Sequence, residues 1–377
     1  MAMARRSRSE DGEYVIVFGG YNGSKEEPTL MKGGVPHTTI EWYSIPVPVA
    51  EPESNYSALK LTPFSVGELH KVNRFESLKS SIYCLSGCSD EMWILNSTDD
   101  CWNRGPNMIV SRRNPHTLVL DGKLFVLGGL DYPPHHSCHW MEVFDPGRGP
   151  RGRWEALPNP PSPIYPYLMV SAAFEDTKEI IVSSVQPMSK NDRYRTCMLY
   201  SYDVRARSWT KLMSPPFKLQ GGGPDPTFNR AVVVANTLHW VWFDNKCELV
   251  LQAYHLPTNA WFQGRLRLEG IVLRKHFYLS DMDPPALIHL SHLSGRKFCV
   301  PFQYYYFLRS GKNEKNVQSC WEPFLCSVIF EVSEDDKQVT EDDKQVKQDY
   351  GILNISFVSV QKYRLDHSLR FSNAVLL

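Results

Sequence analysis

The sequence predicts an all-β protein: a single propeller of six four-stranded blades, its ring closed by the C-terminal strand pairing into the first blade. Three observations carry this. A tryptophan recurs late in four of the units, at Trp102, Trp154, Trp209 and Trp261, with separations of 52, 55 and 52 residues. That is the period expected of one four-stranded blade. Ahead of each Trp stand short apolar runs joined by turn residues. The third observation is that the two ends of the chain complete one another.

The clearest unit begins Arg113-Asn114-Pro115-His116 and continues to Gly128-Gly129. It reads as two strands joined by an Asp121-Gly122 turn, a strong short-range hairpin signal. A third run, Trp140 to Asp145, follows, and Trp154 opens a fourth. In three units a polar residue closes the third strand six residues before the Trp: Asn96, Asp203 and His255. The paired upstream runs recur at 167–173 with 179–185, at 230–235 with 238–243 (turn Asn236-Thr237), and at 286–291 with 297–302 (turn Ser294-Gly295). A degenerate copy spans 70–75 with 81–87.

The N-terminal piece supplies only later strands of its unit, Tyr14 to Gly20 and then 39–45. Its first strand is expected from Phe371 to Leu377. Read across the join, Ala-Val-Leu-Leu followed by Asp-Gly-Glu-Tyr-Val-Ile-Val-Phe-Gly-Gly parallels Leu118 to Gly129. A closed array leaves only short, protected edges. The sixth unit combines 324–332 with 352–363 around a charged insert in which Glu-Asp-Asp-Lys-Gln-Val occurs twice. Residues 333–349 are therefore expected to be a solvated, disordered loop, and residues 1–13 a disordered tail ahead of one domain, 14–377.

Lys+Arg and Asp+Glu both total 41, so the formal net charge is zero and offers no global attraction to nucleic acid. No apolar run is long enough to span a membrane and no signal-peptide pattern opens the chain. The nine cysteines are odd in number and scattered. Cys84, Cys197, Cys247 and Cys299 sit in strand-like runs, which suggests reduced thiols in the cytoplasm or nucleus.

The glycine doublets Gly19-Gly20 and Gly128-Gly129, the aromatic-Asp pairs Phe144-Asp145 and Tyr202-Asp203, and the spaced Trps resemble kelch repeats, over essentially the whole chain. Ser86-Gly87, Ser183-Ser184 and Trp242-Phe243 depart from the pattern where double Gly is expected. The degenerate repeats are similar to plant kelch-repeat proteins, many of which carry an N-terminal F-box. With 13 residues before the first strand, an F-box and its ubiquitin-ligase adaptor role are not expected here. The resemblance implies a kelch-type propeller used for protein interaction.

Enzymatic signatures are sparse. His135-His136-Ser137-Cys138-His139 offers imidazole and thiolate, yet adjacent residues in one loop rarely converge on one ion, and no second ligand pair has standard spacing. Cys84 and Cys88 straddle a strand end. Gly221-Gly222-Gly223 lacks the Lys-Ser/Thr of a phosphate loop. The Glu-X-X-X-Asp-X-X-X-His run of iron-dependent kelch specifier proteins does not occur, nor do sialidase-type Asp boxes, and no cofactor is expected.

In an up-down blade the second-to-third loop and the blade-to-blade link share one end of the ring. The long loops there carry Tyr21, Tyr132, Arg193, Tyr194, Arg195, Arg230 and Arg309, and Tyr and Arg favour recognition because they combine area with directed hydrogen bonds. The expected function is a non-catalytic scaffold that binds a partner protein or peptide on this face, as a monomer, with no nucleic acid or membrane partner. The alternative is a small-molecule or metal-dependent enzyme at the mouth of the central channel, which would need convergent His, Asp or Glu side chains.

Overall fold

Short period-two runs bounded by Gly, Pro and Asn leave strands as the regular structure, and no helix occurs among the described residues. A computed structural model describes residues 15–22, 37–47, 59–63, 65–70, 72–86, 89–96, 102–113, 115–130, 139–162, 164, 170–185, 194–212, 218–220, 231–244, 248–268, 286–287, 289–310, 318–334, 350–365 and 369–376. The predicted tail and most of the charged insert lie outside these residues. Ser333 and Glu334, expected in that insert, instead end a strand, Gln318–Glu334.

The first sheet orders Leu369–Leu376, Val15–Asn22, His37–Pro46 and Ser65–His70. The C-terminal strand thus pairs antiparallel with the N-terminal one, Ile16 opposite Leu376 and Asn22 opposite Leu369. The next three sheets follow chain order. Val72–Leu78, Ser81–Ser86, Met92–Asn96 and Trp102–Arg104 form the second. The third is His116–Leu120, Lys123–Leu127, Met141–Asp145 and Arg153–Ala156. The fourth is Ser171–Phe174, Glu179–Val185, Tyr194–Asp203 and Ser208–Lys211.

Two turns show how local chemistry sets the hairpins. Asp121 and Gly122 both take positive φ, 52° and 67°, as a two-residue turn of this type requires. In the fifth unit the turn falls at Ala235-Asn236, with φ of 46° and 63°, one residue earlier than the sequence suggested.

The expected fifth and sixth units are not separate sheets. Val232–Val234, Thr237–Phe243, Leu249–His255 and Ala260–Leu266 continue into Tyr350–Arg364, Gln318–Glu334 and Lys297–Ser310, a ten-stranded sheet with its side branches. The junction is a short parallel pairing, Trp261 with Tyr350, Phe262 with Gly351 and Gln263 with Ile352. Two glycines permit it. A Cβ on Gly351 would stand 2.4 Å from the Phe262 ring, and one on Gly264 would stand 2.5 Å from the Leu353 carbonyl oxygen. Glycine within a strand marks such close approaches.

Each sheet buries both faces, one against each neighbour. On one face of the third sheet Leu124, Val126, Phe144 and Trp154 pack with Leu78, Tyr83, Leu85 and Met92 of the second. On its other face Leu118, Phe125, Leu127 and Val143 meet Ile180, Val182, Tyr200 and Tyr202 of the fourth. This explains why Lys123–Leu127 reads as a continuous apolar run instead of an alternating one. The first sheet shares one cluster with the second, where Trp42 and Ile40 meet Phe75, Ile82 and Leu95. It shares another with the last unit, where Tyr43 and Ile45 meet Cys299, Leu325 and Ile329. The first strands also touch in succession: Leu369–Leu376, Val72–Leu78, His116–Leu120, Ser171–Phe174, Val232–Val234 and Ser291–Ser294. Lys297–Ser310, the partner of the last, returns to Leu369–Leu376.

The recurring Trp is the register mark of the repeat. Trp102, Trp154, Trp209 and Trp261 stand opposite Leu95, Phe144, Tyr202 and Tyr254, each the residue before the polar strand end. The ring pairs Phe144–Trp154, Tyr202–Trp209 and Tyr254–Trp261 lie 5.2, 5.0 and 4.5 Å apart. Trp154 Nε1 donates to the Pro106 carbonyl at 2.9 Å, and Trp209 Nε1 to that of Pro158 at 2.8 Å. In both cases the acceptor lies four residues after the preceding unit's Trp, so one side chain ties successive units together.

His239 sits between the fifth and sixth units. Its Nδ1 lies 3.1 Å from the Thr237 carbonyl oxygen, and its ring packs 5.1 Å from that of Phe298, which also meets His292. Burial pushes the imidazole down to about 4 from its ordinary 6.5. The unfolded chain therefore takes up a proton that the folded chain refuses between those values. Stability that is fully present above pH 6.5 falls as the pH drops to about 4, by about 3 kcal/mol. Urea midpoints measured across this range should show that slope, and His239→Phe should flatten it.

Candidate interaction surface

The third sheet shows how the connection between its second and third strands is held. Its hairpin turns at 121–122 and 146–152 leave from one end, where Lys123 Nζ meets Asp145 Oδ2 at 3.2 Å. Residues 128–140, including Tyr132 and the His-rich segment, join its second and third strands at the opposite end.

Both stems of that loop are gripped by Arg112, which arrives on the link from the second sheet. Its Nε donates to Glu142 Oε1 at 2.7 Å, Nη1 to the carbonyls of Gly128 (2.5 Å) and Trp140 (2.9 Å), and Nη2 to that of His139 (2.7 Å). Glu142 Oε2 accepts from the Ile109 backbone at 2.7 Å. Both side chains are 0% exposed. A planar guanidinium with a fixed fork of donors suits this task, closing several carbonyls and a carboxylate at once. The sequence reading missed Arg112. The available signal was Glu142, a lone carboxylate inside the apolar run from Met141 to Phe144, which needs a buried partner.

The glycine doublet belongs to the same corner. Gly128 and Gly129 have φ of 64° and 70°. A Cβ on Gly129 would lie 2.8 Å from the Arg113 carbonyl oxygen and 3.0 Å from Pro115. Where Ser183-Ser184 replace the doublet, the strand simply continues, pairing with Leu199 and Met198. Ser183-Ser184 thus sit where no left-handed turn is needed.

Of the residues predicted for this face, Tyr132, Arg193 and Arg230 lie outside the described residues. Tyr21, Tyr194, Arg195 and Arg309 were expected in loops, and their main chains are in strands. Tyr21 pairs with Ile40 and Arg370, Tyr194 with Gln220, Arg195 with Leu219, and Arg309 with Ser319. A ladder satisfies backbone groups whatever the side-chain polarity, so these strands run past the polar residues at which the sequence reading stopped them. Tyr194 and Arg195 are merely consecutive in one strand, and the register places none of these four residues opposite one another.

Polar contacts also join the first strands along the inner side. Arg74 Nε donates to the Pro115 carbonyl at 3.0 Å, and Thr117 Oγ1 to Glu76 Oε1 at 2.7 Å. Desolvation brings the Arg74 guanidinium down to about 10, against the opposing pull of Glu76. His116 Nδ1 lies 3.0 Å from Ser171 Oγ. A Ser–His contact is the starting geometry of an activated nucleophile. Here the two residues are 1% and 5% exposed, so the pair fastens neighbouring strands and presents no accessible hydroxyl.

Cys84, Cys299 and Cys326 are buried free thiols. Burial raises Cys299 and Cys326 to about 12 and Cys84 well above its ordinary value, which keeps them protonated and unreactive. Among the described residues no three His, Cys, Asp or Glu side chains are grouped to hold a metal. His135, His136 and Cys138 lie outside those residues, and the His139 carbonyl is committed to Arg112.

Residues 111–161 match the kelch motif, from the link that carries Arg112 through the outer strand of the third sheet. The chain is similar to an F-box/kelch-repeat protein of Arabidopsis thaliana, 39% identical over 89 residues, or 22% of each chain. A putative F-box/kelch-repeat protein of the same plant is 28% identical over 167 residues, 43% of this chain and 39% of that relative. A further F-box/kelch-repeat protein is 32% identical over 139 residues, covering 36% and 28% respectively. The matched region thus spans from about a fifth to about two fifths of these relatives' length. The family this chain resembles is that of the plant kelch-repeat proteins.

Proposed function

We propose that the protein is a non-catalytic interaction scaffold, a six-bladed kelch propeller that offers the loop end of its ring to a partner protein or peptide. The observation that carries this reading is the Arg112 clamp. A fully buried ion pair and three carbonyl contacts hold both stems of 128–140. Loops positioned by a rigid frame are where recognition concentrates. The blade count rests on the succession of first-strand contacts and on apolar clusters between consecutive units. Tyr21, Tyr132, Arg193, Tyr194, Arg195, Arg230 and Arg309 are the proposed contact residues, and the partner is a protein met by a monomer in the cytoplasm or nucleus.

The test is affinity capture from a native plant extract, with metal analysis of the same purified protein. Tyr132→Ala/Arg193→Ala/Arg195→Ala should lose the partner that the unaltered protein retains, with thermal unfolding unchanged. Retention of that partner by the triple variant would contradict the proposed face. Stoichiometric iron, copper or zinc without any stable partner would contradict the scaffold reading itself.

A further inference from the structure

The sixth unit meets the first sheet across a face that is only partly apolar. Tyr43 and Ile45 pack there against Cys299, Leu325, Ile329 and Tyr363. The register puts further polar residues on the same face. Ser291 stands opposite Cys299, Ser359 opposite Ile329, Gln361 opposite Ser327 and Tyr363 opposite Leu325. Residues paired across a ladder, and residues two apart along a strand, share one side of a sheet. Ser327 Oγ lies 3.1 Å from Cys299 Sγ. Ser291 Oγ, Ser359 Oγ, Gln361 Oε1 and the Tyr363 hydroxyl oxygen are buried and have no hydrogen-bond partner among the described residues. Ser359 is 0% exposed, and Ser291 and Tyr363 are each 3% exposed. Buried polar atoms are nearly always paired, and each one left unpaired forgoes the bonds that water would supply.

Backbone pairing across this seam is also short. Among the described residues it amounts to Leu59 with Tyr363 and Lys60 with Arg364, from the connection between His37–Pro46 and Ser65–His70 of the first sheet. The other face of the first sheet holds unpaired polar atoms too, the indole N–H groups of Trp42, Trp93 and Trp102. Those are carried on large rings, with Trp42 5.0 Å from both Phe75 and Trp102. The apolar area that each indole buries outweighs its single donor. A serine hydroxyl brings no such compensation.

We infer that the ring opens at this seam: the sixth unit and the first sheet part face from face, while the ladder between Val15–Asn22 and Leu369–Leu376 stays paired. Parting returns water to Ser291, Ser359, Gln361 and Tyr363, which lowers the free energy of opening here below that of the other seams. Tyr21 and Arg309 lie on strands to either side, so the opening also changes the spacing across the proposed loop face.

Buried thiols report on three of the seams. Cys299 faces the first sheet, and Cys84 packs with Ile40 and Trp42 between the first and second sheets. Cys326 packs with Val241 and Phe243 between the fifth and sixth units. The test is labelling of the intact native protein with N-ethylmaleimide, mapped by peptide mass spectrometry so that these thiols are read apart from the other cysteines. Cys299 should react at least about tenfold faster than Cys84 and Cys326. Ser359→Ala/Tyr363→Phe removes two unpaired oxygens and otherwise keeps the shape of the face. It should slow Cys299 labelling by at least about tenfold and raise the midpoint of thermal unfolding. Amide exchange along Val15–Asn22 should stay slow under the same conditions. Cys299 labelling no faster than that of Cys84 and Cys326, unchanged or faster labelling in the variant, or exchange along Val15–Asn22 as fast as Cys299 labelling would overturn the inference.

Discussion

Glu142→Ala is expected to destabilise the protein by about 3–5 kcal/mol, a large share of the stability of a typical domain. The substitution strands the Arg112 guanidinium in a fully buried site. It also leaves the Ile109 N–H without its acceptor. Removing one member of a buried pair is costly because the other charge remains desolvated. Replacing both at once, as in Arg112→Met/Glu142→Leu, should therefore recover part of the loss. Urea unfolding followed by tryptophan fluorescence measures both variants, and adding the single variants Arg112→Met and Glu142→Leu gives the coupling between the two positions. A loss below about 1 kcal/mol for Glu142→Ala would mean the pair is not the anchor described. Because the same guanidinium holds Gly128, His139 and Trp140, Glu142→Ala should also weaken partner capture by the loop face.

Removing residues 369–377 is the second large effect. The strand pairs with Val15–Asn22 over seven residue pairs. At about 1 kcal/mol net for each hydrogen bond of such a ladder, the direct loss is on the order of 5 kcal/mol. The deletion also bares an apolar strand edge, which invites pairing with other chains. The expected result is a chain that unfolds at much lower urea and aggregates on warming. A truncated chain with the urea midpoint of the intact protein would show that the strand is dispensable.

Much of this architecture is legible in the sequence because it rests on local chemistry that repeats. The Trp spacing becomes a register, with Trp154 opposite Phe144 and Trp209 opposite Tyr202. Asp121-Gly122 reads directly as a turn with both residues at positive φ. The C-terminal strand is legible because Val15–Asn22 lacks the partner that every other unit carries ahead of its second strand. What stays hidden depends on distant segments meeting. The junction of Trp261–Gln263 with Tyr350–Ile352 joins stretches far apart in the chain, and Gly264 and Gly351 have no local role that would announce it. Arg112 looks like one polar residue among several in a link, and only the fold shows that it faces Glu142. The Arg207–Glu155 ion pair forms only because the third and fourth sheets stand side by side. Tyr21, Tyr194, Arg195 and Arg309 were placed in loops because strand ends were judged by polarity, whereas ladders end where backbone pairing ends.

The most direct test of the closed ring is amide hydrogen exchange on the intact protein, comparing Val15–Asn22 and Leu369–Leu376 with Met141–Asp145 of the third sheet. If the chain ends pair as described, the terminal strands open only with the whole ring, and all three segments exchange at similar slow rates. Exchange of Val15–Asn22 and Leu369–Leu376 orders of magnitude faster than that of Met141–Asp145 would show an open array whose ends do not meet, and would contradict the account.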